Sequence, residues 1–214
     1  MGIDNLVFLS ILTEKLPTKE RKRASRWGLS FAWITRLLLL ASAVWIVKLT
    51  KPILVLGDWA FSFRDLFLFL GGAFLIVKAT QEIHEEFEPK TNSKQSRSTW
   101  VLFHRVVLQI ALMDVIFSFD SVLTAIGLTS SFAIMGFAIT LAILVMIYAS
   151  EPVGQFIHLH PSIKMLALSF LILIGTLLIA DAFGFHIPRG YLYFAMGFSL
   201  SVELLNLLKR SRRK

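Results

Sequence analysis

The chain has 214 residues, 56% of them hydrophobic, with a mean hydropathy of +0.70 and a formal net charge of +8. Soluble domains are roughly half apolar and spread their charge along the chain; here apolar residues gather in runs and charge gathers between them, which excludes an ordinary soluble domain. The absence of cysteine excludes disulfides and thiolate metal sites, and no basic segment carries the interleaved stacking aromatics of a nucleic-acid surface.

The pattern predicts an all-α fold, a polytopic membrane helical bundle of about seven spans. The chain opens on GIDNLVFLSIL, an apolar segment of about eleven residues where roughly 20 are needed to cross a bilayer. It has neither the positive n-region nor the small-residue cleavage site of a signal peptide. A basic cluster follows (Lys15, Lys19, Arg21, Lys22, Arg23, Arg26), then an apolar run over 27–48 with Arg36 in its interior. LTKPILVLGDWAFSFRD (49–65) reads as a connection of mixed charge, and the next run covers 66–79. Glu82, His84, Glu85, Glu86 and Glu88 then form an acidic patch, read as a solvated helix end, before a loop with Lys90, Lys94 and Arg97. Runs over 101–128 and 132–148 are joined without charge; EPVGQFIHLHPSIK (151–164) reads as a loop holding His158 and His160. Runs over 163–180 and 191–208 and the tail KRSRRK complete the chain. Counting Lys and Arg loop by loop puts the N-terminus outside and the C-terminus in the cytoplasm of a plasma-membrane protein.

The chain also repeats itself. IDNLVFLSIL (3–12) aligns with FDSVLTAIGL (119–128), KLTKP (48–52) with YASEP (148–152), and LFLFLGGAFLIVKA (66–79) with SFLILIGTLLIADA (169–182). Three spans per unit force the second copy into the opposite orientation, the inverted repeat typical of secondary transporters. One transmembrane domain over 1–214 is expected: a first repeat over 1–84, a cytoplasmic loop over 85–99, a second repeat over 100–186, and a last span with its basic tail over 187–214.

Within MDVIFSFDSVLTAIG, helical spacing places Asp114 and Ser118 on one stripe with Ser121, and Asp120 on the adjoining stripe. A carboxylate at the membrane centre costs about 2.5–3.5 kcal/mol on the gentlest scale, so such acids mark ion pathways more often than packing. Asp4 and Asn5 occupy the equivalent place in the first repeat. Asp4, Asn5, Asp114, Asp120 and Ser121 together offer only oxygen ligands, suited to hard divalent cations such as Mn²⁺, Mg²⁺ or Ca²⁺. Glu203 lies mid-span in the last run with Ser199 and Asn206 on its face, as a supporting ligand or proton relay. Arg36 needs an acid from another helix and reads as the counter-charge of the empty site.

The stretches GIDNLVFLSILTEKLP, RKRASRWGL, FSFRDL, KATQEIHE, MDVIFSFDSVLTAIG, HPSIKMLALSFLILIG and FGFHIPRGYLYFAMGFSLSVELLN, nearly the whole chain, resemble the TerC family of integral membrane proteins, in its compact branch. The resemblance implies export of divalent metal, manganese first, through a fold similar to lysine-exporter-type transporters. It also implies a glutamate six residues before Asp4, and this chain begins only three residues before Asp4. A start site placed too late is the expected reason, with about ten to fifteen further apolar residues upstream. The expected partners are the lipid bilayer and the divalent ion, with a second copy or other membrane proteins beyond them. Neither a cofactor nor enzymatic activity is expected, and the Gly-x-Gly-Asp signature of an intramembrane aspartyl protease is absent. The other reading is a non-transporting scaffold that helps partner proteins acquire metal or insert.

Overall fold

A computed structural model describes residues 2–42, 52–56, 59–87, 99–128 and 131–211. In chain order these form α1 (Gly2–Glu14), α2 (Thr18–Ala41), the strands β1 (Pro52–Leu56) and β2 (Trp59–Ser62), then α3 (Phe63–Phe87), α4 (Thr99–Leu128), α5 (Phe132–Leu159), α6 (Pro161–Ala182) and α7 (Arg189–Ser211). Among the described residues, five helices are long and apolar enough to cross a membrane: Phe63–Phe87, Trp100–Phe119, Phe132–Leu159, Pro161–Ala182 and Arg189–Lys209. The run expected over 27–48 continues past α2 into residues outside the described set.

Three local expectations are corrected. The connection over 49–65 contains an antiparallel hairpin, with Leu54 opposite Phe61 and Leu56 opposite Trp59, so the helical bundle carries one small β element. The segment over 151–164 is not a loop. α5 runs through Pro152 to Leu159 and α6 restarts at Pro161, which leaves His160 outside the helices and puts His158 on the last turn of α5. A proline inside a helix removes one backbone bond and crowds the carbonyl four residues earlier; the long apolar helix on its N-terminal side carries through. The third correction is Glu82, which is not solvated: it is 4% exposed, with the Lys78 ammonium on the preceding turn 3.9 Å away.

The chain forms two compact units. One contains Met1–Arg64 and Lys90–Leu159, the other Asp65–Pro89 and His160–Lys214. In the first unit α1 is the innermost helix: Leu6, Phe8, Leu9, Ile11 and Leu12 are all buried. An apolar helix buried on nearly every side is a core element. α1 runs parallel to α5, with Ser10 against Gly154 and Glu14 bonded to His158. α2 runs parallel to α4, because Gly28 abuts Ile110 while Arg36 reaches Asp114 and Ser118. α2 is antiparallel to α5, joined by Lys22–Glu151 at one end and Trp33–Thr140 towards the other. α5 turns an apolar stripe outward (Ile134, Phe137, Leu141, Leu144, Val145, Tyr148), the face such a helix gives to lipid.

In the second unit α3 and α6 are antiparallel. Phe69 packs edge-on against Phe183, and Lys164 binds Glu86 at 2.6 Å. Between these contacts the helices cross at two glycines. A Cβ on Gly72 would lie 2.5 Å from the Gly175 carbonyl oxygen and 2.8 Å from Ile179; one on Gly175 would lie 2.8 Å from the Gly72 carbonyl oxygen and from Ile76. Small residues let membrane helices approach to backbone contact, where packing rather than the hydrophobic effect holds them. α6 then ends on Gly184 at φ 82°, with Phe185 N–H donating to the Ala180 carbonyl and Gly184 N–H to that of Asp181, a closure that needs the left-handed backbone glycine adopts. Gly72→Ala is expected to destabilise the fold by about 1–3 kcal/mol through overpacking. Gly197→Ala, where nothing lies within 4 Å, should leave it unchanged or slightly stabilised; apparent melting temperatures in detergent separate the two.

Candidate ion site

Among the described residues, the interior of the first unit holds a polar constellation built on α4. Asp114 is 1% exposed and Ser118, one turn later on the same face, is fully buried. The i, i+4 spacing lets the Ser118 hydroxyl donate to Asp114 Oδ2 at 3.1 Å. From α2, Arg36 reaches across with both arms of its guanidinium. One terminal nitrogen donates to Asp114 Oδ1 at 2.5 Å, and Nε donates to the Ser118 hydroxyl at 2.9 Å. From α1, the Asn5 amide donates to the same Oδ1. The Thr35 hydroxyl stands 3.3 Å from Oδ2 and 3.0 Å from the carbonyl of Ala32, and its single proton serves one of them at a time.

Both carboxylate oxygens are therefore engaged, and the charge is met by Arg36, itself 8% exposed. Removing one partner of a buried pair strands the other charge. The fork of the guanidinium fixes the distance between α2 and α4 as well as the charge, and Gly28, whose Cβ would lie 2.7 Å from Ile110, permits that approach two turns earlier.

Of the residues expected at the site, the structure brings Asn5, Asp114 and Arg36 together. Asp4 lies beside Asn5 on α1, and Asp120 and Ser121 lie further along α4; the positions of those three side chains fall outside what is described. Glu203 belongs to the second unit, on α7, where it is half-buried. Among the described residues no three or more His, Asp or Glu side chains gather as a metal site. Two participants were not singled out as partners of the carboxylate in the sequence. Ser118 shares the stripe of Asp114 in the sequence, and its i, i+4 spacing is the signal for a direct bond; Thr35 is signalled only by standing next to Arg36.

Several apolar helices of spanning length, with a neutralised carboxylate buried in the first unit, define a polytopic integral membrane protein. The profile described as "Integral membrane protein TerC family" matches residues 1–214, and the chain belongs to that family. It is 48% identical over 212 residues to the UPF0053 inner membrane protein YgdQ of Escherichia coli strain K12, covering 99% of this chain and 89% of YgdQ. It is 46% identical over 210 residues to the inner membrane protein YoaE of the same strain (98% of this chain, 40% of YoaE). Against YegH of that strain the identity is 48% over 214 residues, the whole of this chain and 41% of YegH. No solved structure matches it.

Asp114→Asn and Arg36→Gln are each expected to destabilise the protein by about 3–5 kcal/mol, because each strands a buried partner. The double variant, which strands neither, should recover most of that loss. Apparent melting temperatures of the four proteins in one detergent close the cycle, with the interaction energy as the readout.

Proposed function

We propose that this chain is an inner-membrane transporter that exports a divalent cation, manganese first, from the cytoplasm. One observation carries the reading: a carboxylate 1% exposed within a spanning helix, ringed by oxygen-bearing side chains from two other helices and neutralised by an arginine. Intramembrane acids of this kind serve ion pathways, and carboxylate, amide and hydroxyl oxygens suit hard divalent ions. Arg36 holds the place of the ion in the empty site. A cation arriving at Asp114 competes with the guanidinium for the same oxygens, and when the ion leaves, Arg36 returns and keeps the carboxylate from standing uncompensated in a low-dielectric interior. Asp4, Asn5, Asp120 and Ser121 complete the proposed ligand set, and Glu203 is a candidate relay acid within the second unit.

The helix directions support an inverted repeat of two three-span units plus a final helix, within a topology of about seven spans with the N-terminus outside and the C-terminus in the cytoplasm. α3 and α6, the third spans of the two copies, are antiparallel and meet at glycines that are equivalent in the alignment. α1 pairs in parallel with α5, and α2 with α4, as expected where the first span of each copy lies beside the second span of the other.

The second reading is a non-transporting scaffold, and the engagement of both Asp114 oxygens by Arg36 and Ser118, as in a purely structural ion pair, favours it. Manganese content after a metal challenge separates the two. With membrane levels matched, Asp120→Asn is expected to abolish export, since asparagine keeps the size and one oxygen but loses the charge that offsets the ion's dehydration. Full export by both Asp120→Asn and Asp114→Asn would remove the ligand assignment and leave the scaffold in front.

A further inference from the structure

At the end of the first unit where α1 turns into α2 and α5 finishes, the helices part around an open cleft of about 660 Å³. Its walls carry three cations, Arg21, Lys22 and Arg26, and two carboxylates, Glu14 and Glu151. Each carboxylate already meets a base inside the cleft: Glu151 binds Lys22 at 2.6 Å, and Glu14 binds His158 at 2.8 Å. Arg21 is held in place by its own donors, Nε to the Leu16 carbonyl at 2.9 Å and a terminal nitrogen to that of Glu14 at 3.0 Å. A guanidinium fixed by two carbonyls at the end of α1 loses little entropy on meeting a ligand, and its planar fork suits a phosphate. Arg26, exposed on the next turn of α2, adds a second guanidinium. Three fixed cations against two carboxylates leave the cleft with a positive excess, which favours an anion over a divalent cation.

The position of the cleft decides which anion. Tyr148 forms part of its wall and is also the last residue of the outward apolar stripe of α5, 87% exposed. Trp27, one residue beyond Arg26, is likewise exposed. Tyrosine and tryptophan collect at the headgroup level of a bilayer, so the cleft opens at that depth and continues into a surface that acyl chains cover. The geometry points to a binding site for one anionic phospholipid, its phosphate between Arg21 and Arg26 and its chains along the α5 stripe. Basic recesses between membrane helices are the known chemical form of such sites. Lipid binding in this cleft involves none of the residues around Asp114 and does not depend on transport.

The test uses the full chain in neutral detergent, titrated with phosphatidylglycerol, phosphatidylcholine or inorganic phosphate and read by native mass spectrometry. One phosphatidylglycerol should be retained per chain, phosphatidylcholine much less, and inorganic phosphate should not displace the bound lipid. Arg26→Gln should weaken retention about fivefold, Arg26→Lys should keep most of it, and Arg23→Gln, the same loss of charge on an exposed residue of α2 outside the cleft, should match the parent. Equal loss in Arg23→Gln and Arg26→Gln would overturn the site in favour of diffuse surface charge. Displacement by inorganic phosphate would overturn the lipid assignment in favour of a soluble anion.

Discussion

A carboxylate inside a bundle of apolar helices has to meet a cation or a proton, and in this chain the Asp114 carboxylate meets the Arg36 guanidinium. Much of the first unit follows from that meeting. Arg36 reaches both Asp114 and Ser118 only if α2 lies close to α4, and Gly28 against Ile110 is what permits the close approach. Asn5 reaches the same carboxylate oxygen from α1, so the most buried helix of the unit is tied by a polar bond as well as by its leucines. The bond differs from packing in one respect. Apolar contacts in a membrane tolerate sliding, because lipid and leucine are nearly equivalent surroundings, whereas a buried charge fixes the register of three helices to within a hydrogen bond.

The sequence marked the helices well and their ends poorly. Apolar runs over 66–79 and 132–148 locate α3 and α5, but the helices extend to Phe63–Phe87 and Phe132–Leu159. Hydropathy reports the thickness of the oily layer a segment crosses; a helix continues through its charged turns wherever backbone bonding allows. The hairpin does carry a signal in the sequence: an Ile-Leu-Val-Leu run starting after Pro52, separated from the aromatic second strand by two residues, Gly57 and Asp58. Apolar but for Ser62, its strands blend into the neighbouring spans, and a period of two is faint where nearly every residue is hydrophobic.

Around Asp114, what could be read was chemistry and what could not be read was pairing. Asp114 stood out because an acid in an apolar run is costly, and Arg36 for the same reason with the opposite sign. That the two belong to each other, with Ser118 bridging them, requires knowing that α2 lies beside α4. Apolar runs alone do not carry that information, because every span presents the same kind of surface to its neighbours. Glu82 is the counter-example: surrounded by Glu85 and Glu86 in the sequence it reads as solvated, yet it turns inward beside Lys78, one helical turn earlier.

The crossing of α3 over α6 restricts how this seam can change over generations. Most tight contacts in a protein offer an escape, in which a larger residue on one side is accommodated by a smaller one opposite. Here the residue opposite is already glycine, and besides the side chain of Ile179 or Ile76 the obstacle is a carbonyl oxygen of the main chain, which no substitution shortens. A mutation at Gly72 therefore has no suppressor at Gly175, nor the reverse. Revertants selected against either change should be true reversions or distant alterations that move a whole helix, and each glycine stays fixed for as long as the other does.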